Sequence, residues 1–123
     1  MTLFAFYGTF TSGQTGHGNL EGARFYEAAV TAPRYRLLFV DELWPALVED
    51  EDGVAIECEV YECSDDLLAG LAEIEPPGWN RAALELADGR RVEAFLGDEA
   101  ISARGLDVSA HGSWAAFVAS RQT

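Results

Sequence analysis

The stretch Leu3-Phe4-Ala5-Phe6-Tyr7-Gly8-Thr9-Phe10-Thr11-Ser12-Gly13 sets the frame for the rest of the chain. Its aromatic and apolar half, Leu3–Tyr7, predicts a strand that breaks at Gly8 into a polar corner ending at Gly13. A strand that stops at a glycine delivers bare backbone N–H groups to one spot, a good place to hold an anion or a carbonyl oxygen. A second group is needed to make such a corner chemical. The residue that fits is far along the chain, Glu75.

With 123 residues, 49% of them hydrophobic and including 7 Phe, 4 Tyr and 3 Trp, one domain over residues 1–123 with a single sizeable core is expected. The charge is lopsided: 8 Lys+Arg face 21 Asp+Glu, for a formal net charge of −13. A surface of that sign repels phosphate backbones and anionic lipid, so neither a nucleic acid nor a membrane is expected as partner. Cys58 and Cys63 lie five residues apart in an apparent strand, about 16 Å at strand rise and on opposite faces, which predicts free thiols. No basic segment followed by an apolar stretch opens the chain and no run approaches a membrane span, which points to the cytoplasm.

Downstream of the corner, Gln14–Asn19 reads as a glycine-rich loop, and Leu20–Ala23 makes at most one helical turn. Strands are expected over 24–31 and 35–40, separated by Ala32 and Pro33; Pro45 starts a short segment, Ala46–Val48, ended by the acidic turn 49–53. Residues 53–63 alternate, with Val54, Ile56, Cys58 and Val60 on one face and Glu57 and Glu59 on the other. Ser64 before Asp65 and Asp66 is a helix start, and Pro76, Pro77 and Gly78 stop that helix. Residues 81–87 and 90–96 predict a hairpin closed by Asp88-Gly89, a dipeptide that tolerates a type I′ turn. A loop over 97–111 then leads to a last helix whose Trp114, Phe117 and Val118 share a face. A mostly β chain with two or three short helices is α+β.

Several motifs fail on inspection. Gly8–Thr15 nearly spells the phosphate loop GxxxxGK[ST], but Gln14 stands where the lysine must be. Gly16, Gly18 and Gly22 miss the dinucleotide spacing, and no serine sits in a G-x-S-x-G elbow. His and Cys are not clustered at ligand spacing, so neither a metal nor another cofactor is expected.

Glu75 is the exception. At about 100° per residue, with Leu67 set to zero, it falls at about 80°, between Leu71 at about 40° and Leu68 at about 100°. Glu73 points to the opposite side. A carboxylate on the apolar face at a helix C-terminus has a raised pKa, suited to a base working near neutrality. Pro76 competes with this placement, since it pushes Glu75 out of helical dihedrals. Trp79 and Arg81 follow the helix stop where they can line a pocket beside Glu75, and His17 in its glycine-rich loop can touch a ligand. His111 and Cys58 read as structural.

Together these stretches resemble the gamma-glutamylcyclotransferase-like family. The resemblance rests on Tyr7-Gly8-Thr9-Phe10, where the family reads Tyr-Gly-Ser/Thr-Leu, and on Glu75 at a helix end before Trp79-x-Arg81. Residues 32–36, 44–48, 53–61 and 112–117 fit the pattern between, including Trp44-Pro45-Ala46-Leu47-Val48 where Tyr-Pro-Ala-Leu-Val is usual. Ser12, Gly13, Gln14, His17, residues 31–35 and residues 107–114 are also similar to the C-terminal domain of allophanate hydrolases, which shares the fold but generally lacks the helix-end glutamate. Phe10, Trp79 and Cys58 depart from the usual Leu, Tyr and Gly.

The resemblance implies a compact mixed β-barrel with a few short flanking helices. It also implies that the backbone of Tyr7–Phe10 holds a γ-glutamyl group, with Trp79, Arg81 and His17 near the substrate and Glu75 moving its proton. The implied reaction is attack of the α-amine on its own γ-carbonyl, releasing an amine and 5-oxoproline. Two alternatives stay open: a stand-alone relative of the allophanate hydrolase domain acting on a small carboxylated urea derivative, and a binding or assembly subunit without catalysis. Oligomeric state is not legible in the sequence.

Overall fold

The opening apolar run forms β1 (Thr2–Phe6), and it is unbroken in hydrophobicity because both of its faces are covered. Phe4 and Phe6 enter one apolar cluster with Leu68, Leu71, Trp79 and Phe95; Ala5 and Tyr7 enter another with Leu37, Leu47, Val60 and Phe117. Each aromatic ring so placed contributes about 2–3 kcal/mol of transfer free energy. The computed structural model describes residues 1–122.

After β1 come β2 (Arg24–Val30), β3 (Tyr35–Val40), β4 (Trp44–Glu49), β5 (Glu57–Cys63), α1 (Asp65–Ile74), β6 (Trp79–Glu85), β7 (Arg91–Gly97), α2 (Glu99–Arg104), β8 (Gly105–Asp107) and α3 (Trp114–Ser120). Short 3₁₀ turns occupy His17–Leu20 and Ser109–His111. The strands form a five-stranded sheet in the order β2-β5-β1-β7-β6 and a three-stranded sheet in the order β4-β3-β8. In the first, β1 lies antiparallel to β5 and parallel to β7, so the chain's first strand is its central one. The α+β class holds, while the ladders remain two sheets and do not close into one continuous barrel. An isolated bridge from Thr31 to Leu86 links the ends of β2 and β6, the two edge strands of the five-stranded sheet, and a second, from Tyr35 to Val54, ties β3 to the segment before β5.

Local signals explain most of the elements. The Ser64 hydroxyl accepts from the Leu67 N–H at 3.1 Å, Asp65 and Asp66 occupy the first turn, and Leu68 and Leu71 bury the inner face of α1. Cys58 and Cys63 are both buried free thiols, one in each apolar cluster, as opposite strand faces require.

Four expectations are corrected. Residues 53–56 lie outside β5: Val54 makes an isolated bridge with Tyr35, and the Ile56 backbone bonds to Thr31. The segment after Pro45 is a full strand, β4, in register with β3 from Tyr35 opposite Glu49 to Val40 opposite Trp44. Its turn, with Asp41 at φ 55° and Glu42 at φ 57°, has the I′ shape but lacks the Asn or Gly that announces one. Between β6 and β7 only Gly89 has positive φ, and Gly89 N–H donates to Leu86 O while Leu86 N–H donates to Arg90 O. That is a type I turn with a glycine bulge, in place of type I′. Finally, residues 97–111 hold α2, capped by Asp98 on the Ile101 N–H at 3.0 Å, and β8 against β3. Both are too short for periodicity to reveal.

Candidate functional site

Where β1 ends, three successive carbonyls are claimed by the loop that follows. Gly8 O accepts from Thr11 N–H at 3.0 Å and from the Thr11 hydroxyl at 2.6 Å, while Thr9 O accepts from Gly16 N–H at 2.9 Å. Phe10 O lies 2.8 Å from His17 Nδ1, which places the ring proton on Nδ1. The N–H groups of Gly8, Thr9 and Phe10 are left with no protein acceptor among the described residues. Ser12 is held from the sheet: Glu59 accepts from the Ser12 N–H at 2.8 Å, the Ser12 hydroxyl at 3.2 Å and the Tyr61 hydroxyl at 3.0 Å.

Gly8 has a further reason to be glycine. Its φ is not positive, but a Cβ there would sit 2.4 Å from Pro45 Cγ and 2.9 Å from Pro45 Cβ. Pro45 is fixed from its other side by the Trp79 indole N–H, which donates to Pro45 O at 2.9 Å. The strand end, β4 and the start of β6 are thereby locked together.

Between these elements is a cavity of about 350 Å³. Tyr7, Gly8, Thr9 and Phe10 line one part of it, Glu75, Pro76 and Trp79 another, and Leu43, Trp44 and Ile74 its outer part. Glu75 terminates α1 with φ −71° and ψ 137°, the extended backbone a residue before proline adopts, while its N–H still donates to Leu71 O. The chain thus leaves the helix at Glu75 as the following proline requires while keeping the last helical hydrogen bond, and Glu75 lines the cavity. Half-buried and without an ion pair or hydrogen bond to its carboxylate among the described residues, Glu75 is raised to about 7 by desolvation. Tyr7 is raised too, by burial first and the Glu75 charge second, and its hydroxyl donates to Phe95 O at 2.6 Å. Its proton is thus committed to structure. No Arg or His lines the cavity.

The structure brings Tyr7, Gly8, Thr9, Phe10, Glu75 and Trp79 to one cavity, and it does not bring Arg81 or His17 there. Arg81 stands opposite Phe95 in the β6–β7 ladder, its Nε donates to Glu93 at 2.7 Å, and its guanidinium lies 5.7 Å from the Phe4 ring centre. His17 lines a separate depression with Ser12, Glu59 and Tyr61, bracing the corner from behind. Sequence reasoning missed Glu59, whose partner Ser12 is 47 residues away. It also missed Leu43, Trp44 and Ile74, for which apolar residues beside a turn and at a helix end were the available signal.

Over residues 2–119 the sequence matches the family of the allophanate hydrolase C-terminal domain. The chain belongs to that family. No curated protein sequence matches it. Among solved structures, this member of the allophanate hydrolase C-terminal domain family is similar to c4763, a uropathogenic E. coli-specific protein, at 26% identity over 96% of this chain and 95% of that one, with TM-score 0.89. It is similar to part of the K. lactis urea amidolyase at 21% identity and TM-score 0.92, covering 99% of this chain but 8% of the enzyme. It is also similar to an AIG2-like protein from Mus musculus, at 25% identity, 82% and 78% coverage and TM-score 0.67. The resemblance to gamma-glutamylcyclotransferase-like proteins stands on the same neighbours. Among the described residues, no helix is long and apolar enough to cross a membrane.

Proposed function

We propose that this protein is a gamma-glutamyl cyclotransferase-type enzyme that releases an amine and 5-oxoproline from a γ-glutamyl substrate. One observation carries the reading: the unpaired, half-buried Glu75 carboxylate shares a cavity with the three free N–H groups of Gly8, Thr9 and Phe10. Intramolecular attack needs no protein nucleophile; it needs a folded substrate, donors for the developing oxyanion and one proton carrier. Glu75 takes a proton from the α-ammonium, the freed amine attacks the γ-carbonyl, and the oxyanion leans on the corner N–H groups. Glu75 then returns that proton to the departing nitrogen as the γ-carbon to nitrogen bond breaks, and the ring nitrogen, still carrying two hydrogens, gives up one to the released amine, which leaves as its ammonium. Trp79 holds Pro45 and closes the cavity wall.

The test is 5-oxoproline release from a panel of γ-glutamyl amines and amino acids. Product with the native chain and a loss of at least 100-fold in Glu75→Gln is the expected result. No product from any member, or full activity in Glu75→Gln, overturns the proposal.

The family match favours a second reading, a stand-alone relative of the allophanate hydrolase domain acting on a small carboxylated urea derivative. Turnover of carboxylated amides, and not of γ-glutamyl compounds, with dependence on His17 would select it.

A further inference from the structure

Three of the exposed large apolar side chains among the described residues converge on the mouth of the Glu75 cavity. Leu43 is 58% exposed, Trp44 38% and Ile74 56%, and they come from the β3–β4 turn, the first residue of β4 and the end of α1. Exposed apolar side chains scattered singly need no explanation, but a cluster continuous with a cavity does. The backbone that carries two of them is held in a costly shape: Asp41 and Glu42, neither glycine nor asparagine, both sit in the left-handed region immediately before Leu43.

The charges near the mouth point the same way. All eight cationic side chains of the sequence are arginines, and none lines the cavity. Arg34 and Arg91 face Glu85, Arg36 faces Asp50 and Asp107, Arg81 faces Glu93, Arg90 faces Glu27 and Asp88, and Arg104 faces Asp41. Arg121 lies over the Phe39 and Phe117 rings, and Arg24 is on β2, an edge strand of the five-stranded sheet. The corner N–H groups can serve one carboxylate and one carbonyl oxygen. A second carboxylate, on the far side of the scissile bond, would meet Glu75, apolar walls and a net charge of −13.

We infer that Leu43, Trp44 and Ile74 form the subsite for the leaving group, and that the substrates are γ-glutamyl amides of uncharged apolar amines, aromatic ones foremost. The inference rests on the cyclotransferase reading of the same cavity. The reaction balances without a co-reactant: the γ-carbon to amide nitrogen bond breaks and the α-nitrogen to γ-carbon bond forms. The α-ammonium carries three hydrogens and the lactam nitrogen keeps one; the two protons given up, the first through Glu75, end on the departing nitrogen, which leaves as its ammonium. The apolar amine then leaves across the Trp44 side chain. Small or anionic amines gain nothing from that rim, because contact area with the indole and the two aliphatic chains is all it offers.

Two measurements separate this subsite from the chemistry it depends on. The first is kcat/KM for γ-glutamylbenzylamide, γ-glutamylmethylamide, γ-glutamylalanine and an amide bearing a terminal ammonium, with the native chain and with Trp44→Ala and Leu43→Ser. Expected are a preference of at least tenfold for the benzylamide and a KM for it that rises at least tenfold more in Trp44→Ala than the KM for the methylamide. The second is calorimetric binding of N-benzylglutaramate, which lacks the attacking amine, with weaker binding expected in Trp44→Ala. Turnover of γ-glutamylalanine, the ammonium amide or the methylamide equal to that of the benzylamide overturns the subsite and leaves the chemistry standing. Binding of N-benzylglutaramate that Trp44→Ala weakens, with no 5-oxoproline from any amide, leaves the subsite standing and overturns the chemistry. Neither binding nor product overturns both.

Discussion

Glu75 works against the fold that holds it. A carboxyl raised from 4.5 to about 7 by desolvation keeps its proton in the folded state over that window, while the unfolded chain gives it up. The contribution to stability is therefore fully present below about pH 4.5 and is lost as pH rises through about 7. Glu75→Gln is expected to unfold at higher urea than the native chain at pH 8, by on the order of 2 kcal/mol, and at nearly the same urea at pH 4. The full linkage value is not reached because the side chain is partly in water. The same shift gives kcat/KM an ascending acid limb at about pH 7, since only the ionised carboxylate accepts a proton. A pH profile of 5-oxoproline release with no limb between pH 6 and 8 would remove Glu75 from the role of base. Cys58 and Cys63, pushed by burial to about 12 and about 11, stay protonated and take no part.

At the scale of elements, the cavity depends on how β4 is seated. Pro45 occupies the space where a Gly8 side chain would be, so Gly8→Ala forces the strand end and β4 apart. A loss of about 2–3 kcal/mol in urea unfolding is expected, with part of it regained when Pro45→Ala removes the ring from the same background. The β3–β4 turn offers the opposite sign. Glu42→Gly relieves a left-handed residue with no side-chain partner among the described residues and stabilises by about 1 kcal/mol, whereas Asp41 also holds Arg104 at 2.7 Å and is the poorer choice. If Glu42→Gly destabilises, the turn is not strained at that position. The strands and α1 were legible because each depends on neighbours a few residues away: alternation, the Ser64 cap, the proline stop. The missing Asn or Gly hid the β3–β4 turn, and α2 and β8 were hidden because their stability comes from packing of Ile101 and pairing with β3.

Over the whole molecule, charge of one sign dominates. With −13 distributed over 123 residues and six of the eight arginines already paired to acids, the surplus carboxylates repel one another across the surface. Raising the salt from about 10 mM to about 200 mM is expected to increase Tm by a few degrees through screening. A Tm that falls with salt would show that the arginine pairs outweigh the repulsion. The two-faced burial of β1 gives a second global property: the central strand is the least able to open, so its amides are expected to exchange most slowly, and those of the edge strand β2 faster.

By itself the sequence determined the strand that ends at Gly8, the helix that ends at Glu75, and the angle that turns this carboxylate toward the apolar side. Those are short-range matters of periodicity, capping and proline sterics, and they survive in any fold that buries the same faces. Only the tertiary structure decided what stands next to what. It put Glu75 and the Gly8–Phe10 backbone on one cavity, gave Gly8 its steric reason in Pro45, and withdrew Arg81 to Glu93 and His17 to the back of the corner. It also carried Leu43 and Trp44 over the opening. These outcomes depend on strand pairing between residues tens of positions apart, where competing partners for one side chain differ by little and packing settles which is met.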